Sequence, residues 1–392
     1  MTPKVGIVII NYKDYAQRFL ADCRDSLRQL DYPADRFTVY LVDNATSPES
    51  IAHLRREYPE AVVIPEVTNA GWGGGNNIGA ARALADGCND FVFANMDVVV
   101  DPDWLRALVE AAYSTSQIGI VQSRILLHPA PLQPTSNSPE PKTLLRVFGS
   151  PMCNDRPKWC GIHPVGADGI VRVNSVGNRF HFLGFGFCDG YGQPVSALTD
   201  SCIRDIGYAS GASLYVKGDV FYRVGQCNPD FFMYHDDIEL CLRAKLAGYR
   251  VVLAPASVIR HKYEFRRSVR QVEYMERNRL LVLLEFYRIP TLLLVAPALV
   301  FMEIGVFLGA IIGGYASAKL RGWLYFTRLD NWSRIFRDRR RIQSLRIISD
   351  RVLLHDVAAT IDFQEVANPL LRYIANPSLR IYWLVARRIL WW

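Results

Sequence analysis

Asp90-Phe-Val-Phe-Ala-Asn-Met-Asp-Val-Val-Val-Asp101 decides the fold of this chain. Phe91 to Ala94 is a short aromatic and β-branched run, which predicts a buried strand, and it stops at Asn95 and Asp97 shortly before Asp101-Pro-Asp-Trp104 starts a helix. A carboxylate therefore stands just past the carboxyl end of a strand. In open α/β sheets ligands bind at that edge, and a lone Asp beside an Asn there suits a divalent cation that holds a phosphate. A loop or helix-capping Asp is an equally good reading of this segment alone.

Upstream, three more strand-and-helix pairs are legible. Val5 to Ile10 is a continuous β-branched run ending at Asn11-Tyr12, after which Phe19, Leu20, Cys23, Leu27 and Leu30 recur at helical spacing. Phe37 to Val42 ends in Asp43-Asn44 before the capped helix start Ser47-Pro48-Glu49. Ala61 to Pro65 leads into Asn69-Ala-Gly-Trp-Gly-Gly-Gly-Asn-Asn-Ile-Gly79, with a helix expected over residues 80–85. Such alternation predicts an α/β fold with a parallel, doubly wound sheet. The Gly-rich segment fails as a dinucleotide fingerprint: counted from Gly71, the last glycine is replaced by Asn76, and the segment follows the third strand rather than the first. It also lacks the Lys-Ser/Thr ending of a P-loop. It reads as a backbone-rich turn feeding a helix N-terminus, either structural or able to approach an anion or a ribose.

Downstream, Ile118 to Leu127 is another strand, and residues 128–200 turn rich in Pro, Ser, Asn and Gly with weak periodicity. That composition predicts a variable insertion covering the acceptor side, with His163 and His181 as surface or structural residues. A strand is expected over Gly207–Val216, where Ser210-Gly211-Ala212 puts small residues in reach of a substrate. Phe231 to Ala244 opens a helix carrying Asp236, Asp237 and Glu239 at its start, beside Phe232 and Tyr234. One acid in a first helical turn answers the helix dipole, but three together raise one another's pKa and can furnish a base. Val251 to Leu253 reads as the final strand, and His261 follows at a strand-to-loop junction, as a structural imidazole or a further metal ligand.

The chain has 392 residues, half of them hydrophobic, and a formal charge of +7. Its Lys and Arg residues crowd after about residue 240, which calls for an anionic partner such as a lipid headgroup or a diphosphate. Nucleic acid ranks low, because no helix-turn-helix, zinc-finger or RRM signature accompanies the charge. The eight cysteines include no CxxC pair, and Cys153 and Cys160 lack a His at zinc-finger spacing, so reduced thiols are expected rather than a metal site or disulfides. Residues 1–11 enter a strand almost at once and do not read as a secretory signal.

Taken together, Val8-Ile-Ile-Asn-Tyr12, Val42-Asp-Asn44, Asn69 to Asn77, Asn95-Met-Asp97, Ser210-Gly-Ala212, Tyr234 to Arg243 and Val258-Ile-Arg-His261 resemble the family 2 glycosyltransferases. The likeness is to the bacterial rhamnosyltransferase-like branch and runs from Val5 to about Asp350. It implies a GT-A type doubly wound mixed sheet and inverting transfer of a sugar from a nucleotide sugar, dTDP-rhamnose or a UDP-sugar, to a hydroxyl of a polyprenyl-diphosphate-linked saccharide. By the same resemblance Asn11 and Asp43 lie around the base and ribose, and Asn69, Gly71, Gly75, Asn76 and Asn95 line the donor pocket. Asp97, with His261, binds Mg2+ or Mn2+; Asn95 replaces the first Asp of the family's metal motif. Asp237 is the general base, Asp236 stands where the family has Glu, and Ser210, Gly211, Ala212 and Tyr234 face the acceptor.

Residues 1–265 are thus expected to form the catalytic domain, 266–343 a membrane-associated helical region and 344–392 a helical tail. From Thr291 to Ala318 the only charge is Glu303, long enough to span a bilayer, yet basic residues flank both sides. Pro297 and several glycines favour a re-entrant or interfacial hairpin, with a single span second. The expected location is the cytoplasmic face of the bacterial inner membrane, on anionic lipid. The tail's basic, aromatic end, Arg387 to Trp392, fits lipid or a homo-oligomer contact equally. The rival functions are a sugar nucleotidylyltransferase and a non-catalytic membrane-bound scaffold.

Overall fold

The structure, a computed structural model, describes residues 2–44, 47–128, 169–199, 201–262, 269–362 and 369–392. Most of the expected insertion, with Cys153, Cys160 and His163, lies outside the described residues. The strands are β1 Val5–Asn11, β2 Phe37–Asn44, β3 Val62–Glu66, β4 Asp90–Ala94, β5 Val98–Val100, β6 Ile118–Leu127, β7 Val173–Ser175, β8 Asn178–Phe180, β9 Gly186–Cys188, β10 Arg204–Asp205, β11 Ser213–Lys217 and β12 Arg250–His261. The helices of the sheet region are α1 Tyr15–Leu27, α2 Pro48–Glu57, α3 Gly71–Ala85, α4 Trp104–Tyr113, α5 Gly218–Val224 and α6 Asp236–Leu246. Behind them follow α7 Val269–Phe286, α8 Ile289–Ile312, α9 Ala316–Leu324, α10 Leu329–Ser344, α11 Asp350–Leu353 and α12 Asn376–Ile389.

One sheet runs in the order β10-β12-β6-β11-β4-β1-β2-β3, with β5 on β12 and β7 on β6. β1 is parallel to β2 and β4, and β12 to β6, whereas β11 is antiparallel to both β4 and β6. The sheet is therefore mixed, as the family resemblance implies. The reversed strand matters, because the residues preceding β11 then arrive at the same edge as the carboxyl ends of β1, β2 and β4.

Alternation along β1 sorts the two faces. Val5, Ile7 and Ile9 bury against Phe19, Leu20 and Cys23 of α1 and Trp104 and Leu108 of α4. Val8 joins the opposite layer with Ala80 and Ala83 of α3, Phe221 of α5 and Leu240 of α6. Each such side chain contributes about 1.5–3 kcal/mol on full burial. The second layer does not stop at α6: Leu281, Val282 and Phe286 of α7, Val295 of α8, Ile335 of α10 and Trp383 of α12 belong to the same cluster. Trp383 stacks on Phe182 at 4.6 Å between ring centroids.

Three expectations need correction. Residues 71–79 are helical, since α3 starts at Gly71 rather than at residue 80. The glycines exist for contact: a Cβ on Gly79 would lie 2.2 Å from Val8 Cγ1, and one on Gly75 2.9 Å from Ile10 Cδ1. Residues 207–212 form no strand, and β11 begins only at Ser213. Thirdly, the apolar segment does not break at Pro297; α8 continues through it, and the chain turns at Gly313 and Gly314 before α9 packs back on α7. Pro290 occupies the first turn of α8, where its missing N–H costs nothing.

Helix α8 is long and apolar enough to cross a membrane, with mean hydropathy 2.3 and only 17% of its apolar window buried. Its one charge is not left alone. Glu303 meets Arg279 of α7 and Lys319 of α9, the latter at 2.7 Å, and accepts from the Trp323 indole at 2.9 Å; Glu276 pairs with the same two cations.

Candidate active site

The site collects at the carboxyl edge of the sheet. In-register pairing of β1 with β2 sets Asn11 opposite Asp43, and Asn11 Nδ2 donates to Asp43 Oδ1 at 2.6 Å and to Ser50 Oγ at 3.0 Å. Asn11 Oδ1 accepts the Ala16 N–H that opens α1. Both residues are buried, so Asn11 orients Asp43 and ties it to two helix starts. Next along β2, Asn44 holds the turn into α3: Nδ2 donates to Asn69 Oδ1 at 2.8 Å and to the Gly71 carbonyl at 3.1 Å, and Oδ1 accepts from Ala70 N. Asn69 Oδ1 also caps the Gly71 N–H. Gly71 has φ +72° and passes so close to Phe232 that a Cβ would lie 2.1 Å from its carbonyl oxygen. Asn76 is buried one turn into α3, its Nδ2 without a hydrogen-bond partner in the structure.

Pairing of β5 with β12 places His261 opposite Val98 and so beside Asp97. Asp97 Oδ1 stands 3.2 Å from His261 Nε2, and the His261 Nδ1 lies 3.3 Å from Asn174 Oδ1. Donation from Nδ1 to Asn174 leaves the Nε2 lone pair facing Asp97, the arrangement of a metal-binding imidazole. Asp97 Oδ1 is buried and receives no hydrogen bond, an acceptor atom lacking its counterpart. These residues fit a divalent cation. No group of three or more His, Cys, Asp or Glu gathers among the described residues; Asp97 and His261 would be the residues to hold a cation here, and such a cation commonly keeps water or phosphate oxygens as further ligands.

Asp237 lies across the edge. The Asn95 N–H donates to the Ala212 carbonyl at 3.3 Å, and the adjacent Gly211 N–H donates to Asp237 Oδ2 at 3.1 Å. Asp237 Oδ1 caps the Ile238 N–H at 2.8 Å. A Cβ on Gly211 would lie 2.6 Å from the Trp72 ring, so a larger residue there would displace that ring. The structure thus links the end of β4, the Ser210-Gly211-Ala212 turn and the start of α6 through backbone hydrogen bonds. Burial pushes the Asp237 carboxyl up to about 6, against the lowering effect of backbone N–H groups, that of Gly211 first and Ile238 next. Asp236 is more deeply buried; desolvation first and then the neighbouring Asp237 carboxylate hold it well above the usual carboxylate range, and its Oδ2 has no partner.

Glu239 does not belong to this group. It is fully buried and paired at 2.6 Å with Arg243, which also donates to the carbonyls of Val224, Gly225 and Gln226. Its role is to pin that turn beneath α6. Tyr234 lies in the loop before α6, where Phe232, Tyr234 and His235 all have φ of 63°. Three polar residues escaped sequence reasoning. Asn44 had no role assigned, Asn174 sits in a segment without periodicity, and Asn278 carried a usable signal: it shares the buried stripe of α7 with Leu281, Val282 and Glu285. A polar residue on such a stripe needs an internal partner.

The chain is similar to several known proteins. The low-salt glycan biosynthesis hexosyltransferase of Haloferax volcanii is 25% identical over 249 residues, 62% of this chain and 62% of its own length. An N-acetylglucosaminyl-diphospho-decaprenol L-rhamnosyltransferase of Mycobacterium tuberculosis is 24% identical over 275 residues, 67% of this chain and 77% of its own. The crystal structure of GalNAc-T7 with UDP, GalNAc and Mn2+ superposes with a TM-score of 0.50 at 13% identity, over 74% of this chain and 49% of that one, a likeness of fold. The chain therefore spans less than two thirds of the hexosyltransferase and about half of GalNAc-T7. Residues 5–143 match the family described as Glycosyl transferase family 2, and the chain carries a domain of that family on a GT-A type sheet.

Proposed function

We propose that the protein is an inverting glycosyltransferase that moves a sugar from a nucleotide sugar to a hydroxyl of a lipid-linked saccharide. The observation that carries this reading is Asp237: a carboxylate with raised proton affinity, fixed by the Gly211 N–H, on the same sheet edge as Asp97 and His261. In this reading Asp237 Oδ2 takes the proton of the acceptor hydroxyl as its oxygen attacks the anomeric carbon, and the bond to the nucleoside diphosphate breaks on the opposite side. One such attack inverts the anomeric centre, with no second carboxylate needed at the attacked carbon. Asp97 and His261 would hold Mg2+ or Mn2+, which when bound supplies charge neutralisation for the departing diphosphate. Asp43, with Asn69, Gly71, Gly75, Asn76 and Asn95, lies toward the donor; Ser210, Gly211, Ala212 and Tyr234 lie toward the acceptor.

The relatives' names supply the substrate class. The name of the Mycobacterium tuberculosis relative specifies a decaprenol-linked sugar and rhamnose transfer, so dTDP-rhamnose or a UDP-sugar and a polyprenyl-diphosphate-linked acceptor are the first substrates to offer. The exposed apolar face of α8 accords with work at a lipid surface, the cytoplasmic face of a bacterial inner membrane being where nucleotide sugars are made. The test is nucleotide release by the purified full chain from a panel of nucleotide sugars, with lipid-linked acceptor and Mg2+ or Mn2+. Asp237→Asn should lower kcat by about 10²–10⁴-fold, and Asp97→Ala should remove the dependence on added metal together with most turnover. Metal-independent turnover equal in wild type and Asp97→Ala would remove the roles given to Asp97 and His261. Absence of nucleotide-sugar binding would favour a scaffold.

A further inference from the structure

The loop that delivers Asp237 is held in an unfavourable backbone conformation by a residue 44 positions beyond Tyr234, on helix α7. Phe232, Tyr234 and His235 are non-glycine residues at φ 63°, a region that L-residues rarely adopt because the Cβ is crowded there. Such a run persists only when its surroundings hold it. Here the Asn278 Nδ2 donates to the carbonyls of Phe231, Met233 and Tyr234 at 2.8, 2.9 and 2.8 Å. Its Oδ1 accepts from Arg277 Nε at 2.9 Å, and Arg277 donates in turn to the Asp230 and Phe231 carbonyls. On the far side Trp72 N donates to the Phe232 carbonyl at 2.7 Å, and the His235 ring lies 3.1 Å from the Gly184 carbonyl. Asn278 itself is completely buried.

We propose that Asn278 is a positioning residue for the reaction, its amide holding the left-handed turn 232–235 so that the Asp237 carboxylate stays on the Gly211 N–H. The assignment rests on Asp237 being the base. A shape-filling role alone would need no donor, whereas three carbonyls converging on one NH2 use both of its hydrogens. Loosening the turn lets Asp237 swing from Gly211 and admits water beside it. The titratable groups that face Asp237 are Asp236 and Cys241 on its own helix and Tyr208 from the segment before β11. The Asn278 substitutions alter none of these groups chemically, so a change in the acid limb reports on how the 232–235 turn places the Asp236–Asp237 pair.

The experiment compares Asn278→Ala, Asn278→Asp, which keeps the shape but removes the donor, and Asn278→Gln, which keeps the donor. Turnover by the full chain is measured per nucleotide-binding site, so that unfolded protein is not counted. Expected for Ala and Asp is a fall in kcat of about 10²-fold, as for a small misplacement of a reacting group, with the donor KM little changed and the acid limb of kcat moved to lower pH. Gln should recover part of the rate. Wild-type kcat per site with an unmoved acid limb in Asn278→Ala or Asn278→Asp, whichever folds, would overturn the proposal. Full activity of Asp237→Asn would instead overturn the assignment of the base.

Discussion

At the scale of single residues, the raised carboxyl of Asp237 has two consequences of opposite sign. A base must be ionised, so kcat/KM should climb with pH, reach half its plateau at about 6 and level off above that. Folding responds the other way. With a folded value above the unfolded value of about 4, the native state binds the proton more tightly, so the stability Asp237 contributes is present at low pH and lost as pH rises toward 6. Asp237→Asn should therefore be inactive yet more stable than wild type at pH 8 by on the order of 1–3 kcal/mol, and no more stable at pH 4. Urea denaturation at the two pH values checks it; an equal gain at both would mean the carboxyl is not shifted. The acidic start of α6 was legible because three acids opening a helix beside aromatics are an unusual pattern, and the family resemblance picked Asp237 out from among them. Its partner Gly211 was legible only as a small residue, since a backbone N–H has no letter in the sequence. The separate fate of Glu239 was hidden for the same reason: which of three neighbouring acids faces the edge depends on where Arg243 and the 224–226 turn lie, and that is set by packing.

Among the elements, α3 separates what patterning can say from what it cannot. The strand runs β1, β2, β4 and β6 were readable because apolar and β-branched residues stop abruptly at polar ones. Four glycines in five positions, Gly71 and Gly73 to Gly75, read as a turn by propensity, yet they form the first turns of a helix. Close approach to β1 and to Phe232 outweighs the propensity cost, and nothing in the segment names its contact partners. The expected result of Gly79→Ala is a loss of about 1–3 kcal/mol, because its Cβ would collide with Val8 in the middle of a strand that cannot move. Guanidinium unfolding measures it; a neutral outcome would show that α3 and β1 have more room than the structure gives them. Gly71→Ala should do more harm to activity than to stability, since the backbone it would push is that of Phe232 in the loop before Asp237.

For the whole molecule, the sheet and the C-terminal helices share one hydrophobic layer, while a stripe of α8 stays uncovered: Leu293, Val300, Ile304, Leu308 and Ile311 are all more than half exposed. Exposed arginines are carried by two later helices, Arg334, Arg337 and Arg340 on α10 and Arg380, Arg387 and Arg388 on α12, the latter packed on α8. Such a surface is expected to bind vesicles containing anionic lipid and to be weakened by salt. Triple substitution of Ile304, Leu308 and Ile311 by Glu should abolish co-flotation with those vesicles and leave release of nucleotide to a short soluble acceptor unchanged. Loss of both would place the stripe within the site rather than on lipid. The length of the apolar segment was plain in the sequence; that only one face of it is open was not, because Arg279 and Lys319, which answer Glu303, come from two other helices.

That ion cluster bears on how the protein is made. Were α8 to leave the ribosome as an isolated span, Glu303 would enter hydrocarbon without Arg279 and Lys319, at a cost of several kcal/mol; Lys319, moreover, is not synthesised until 16 residues later. Docked against α7 and α9, the same carboxylate is already neutralised before any lipid is met. The order expected is completion of the chain, folding, and only then settlement on a bilayer, with no need for the insertion machinery. Cell-free translation without membranes, followed by addition of vesicles, would show it: chains completed beforehand should bind as well as chains made with vesicles present.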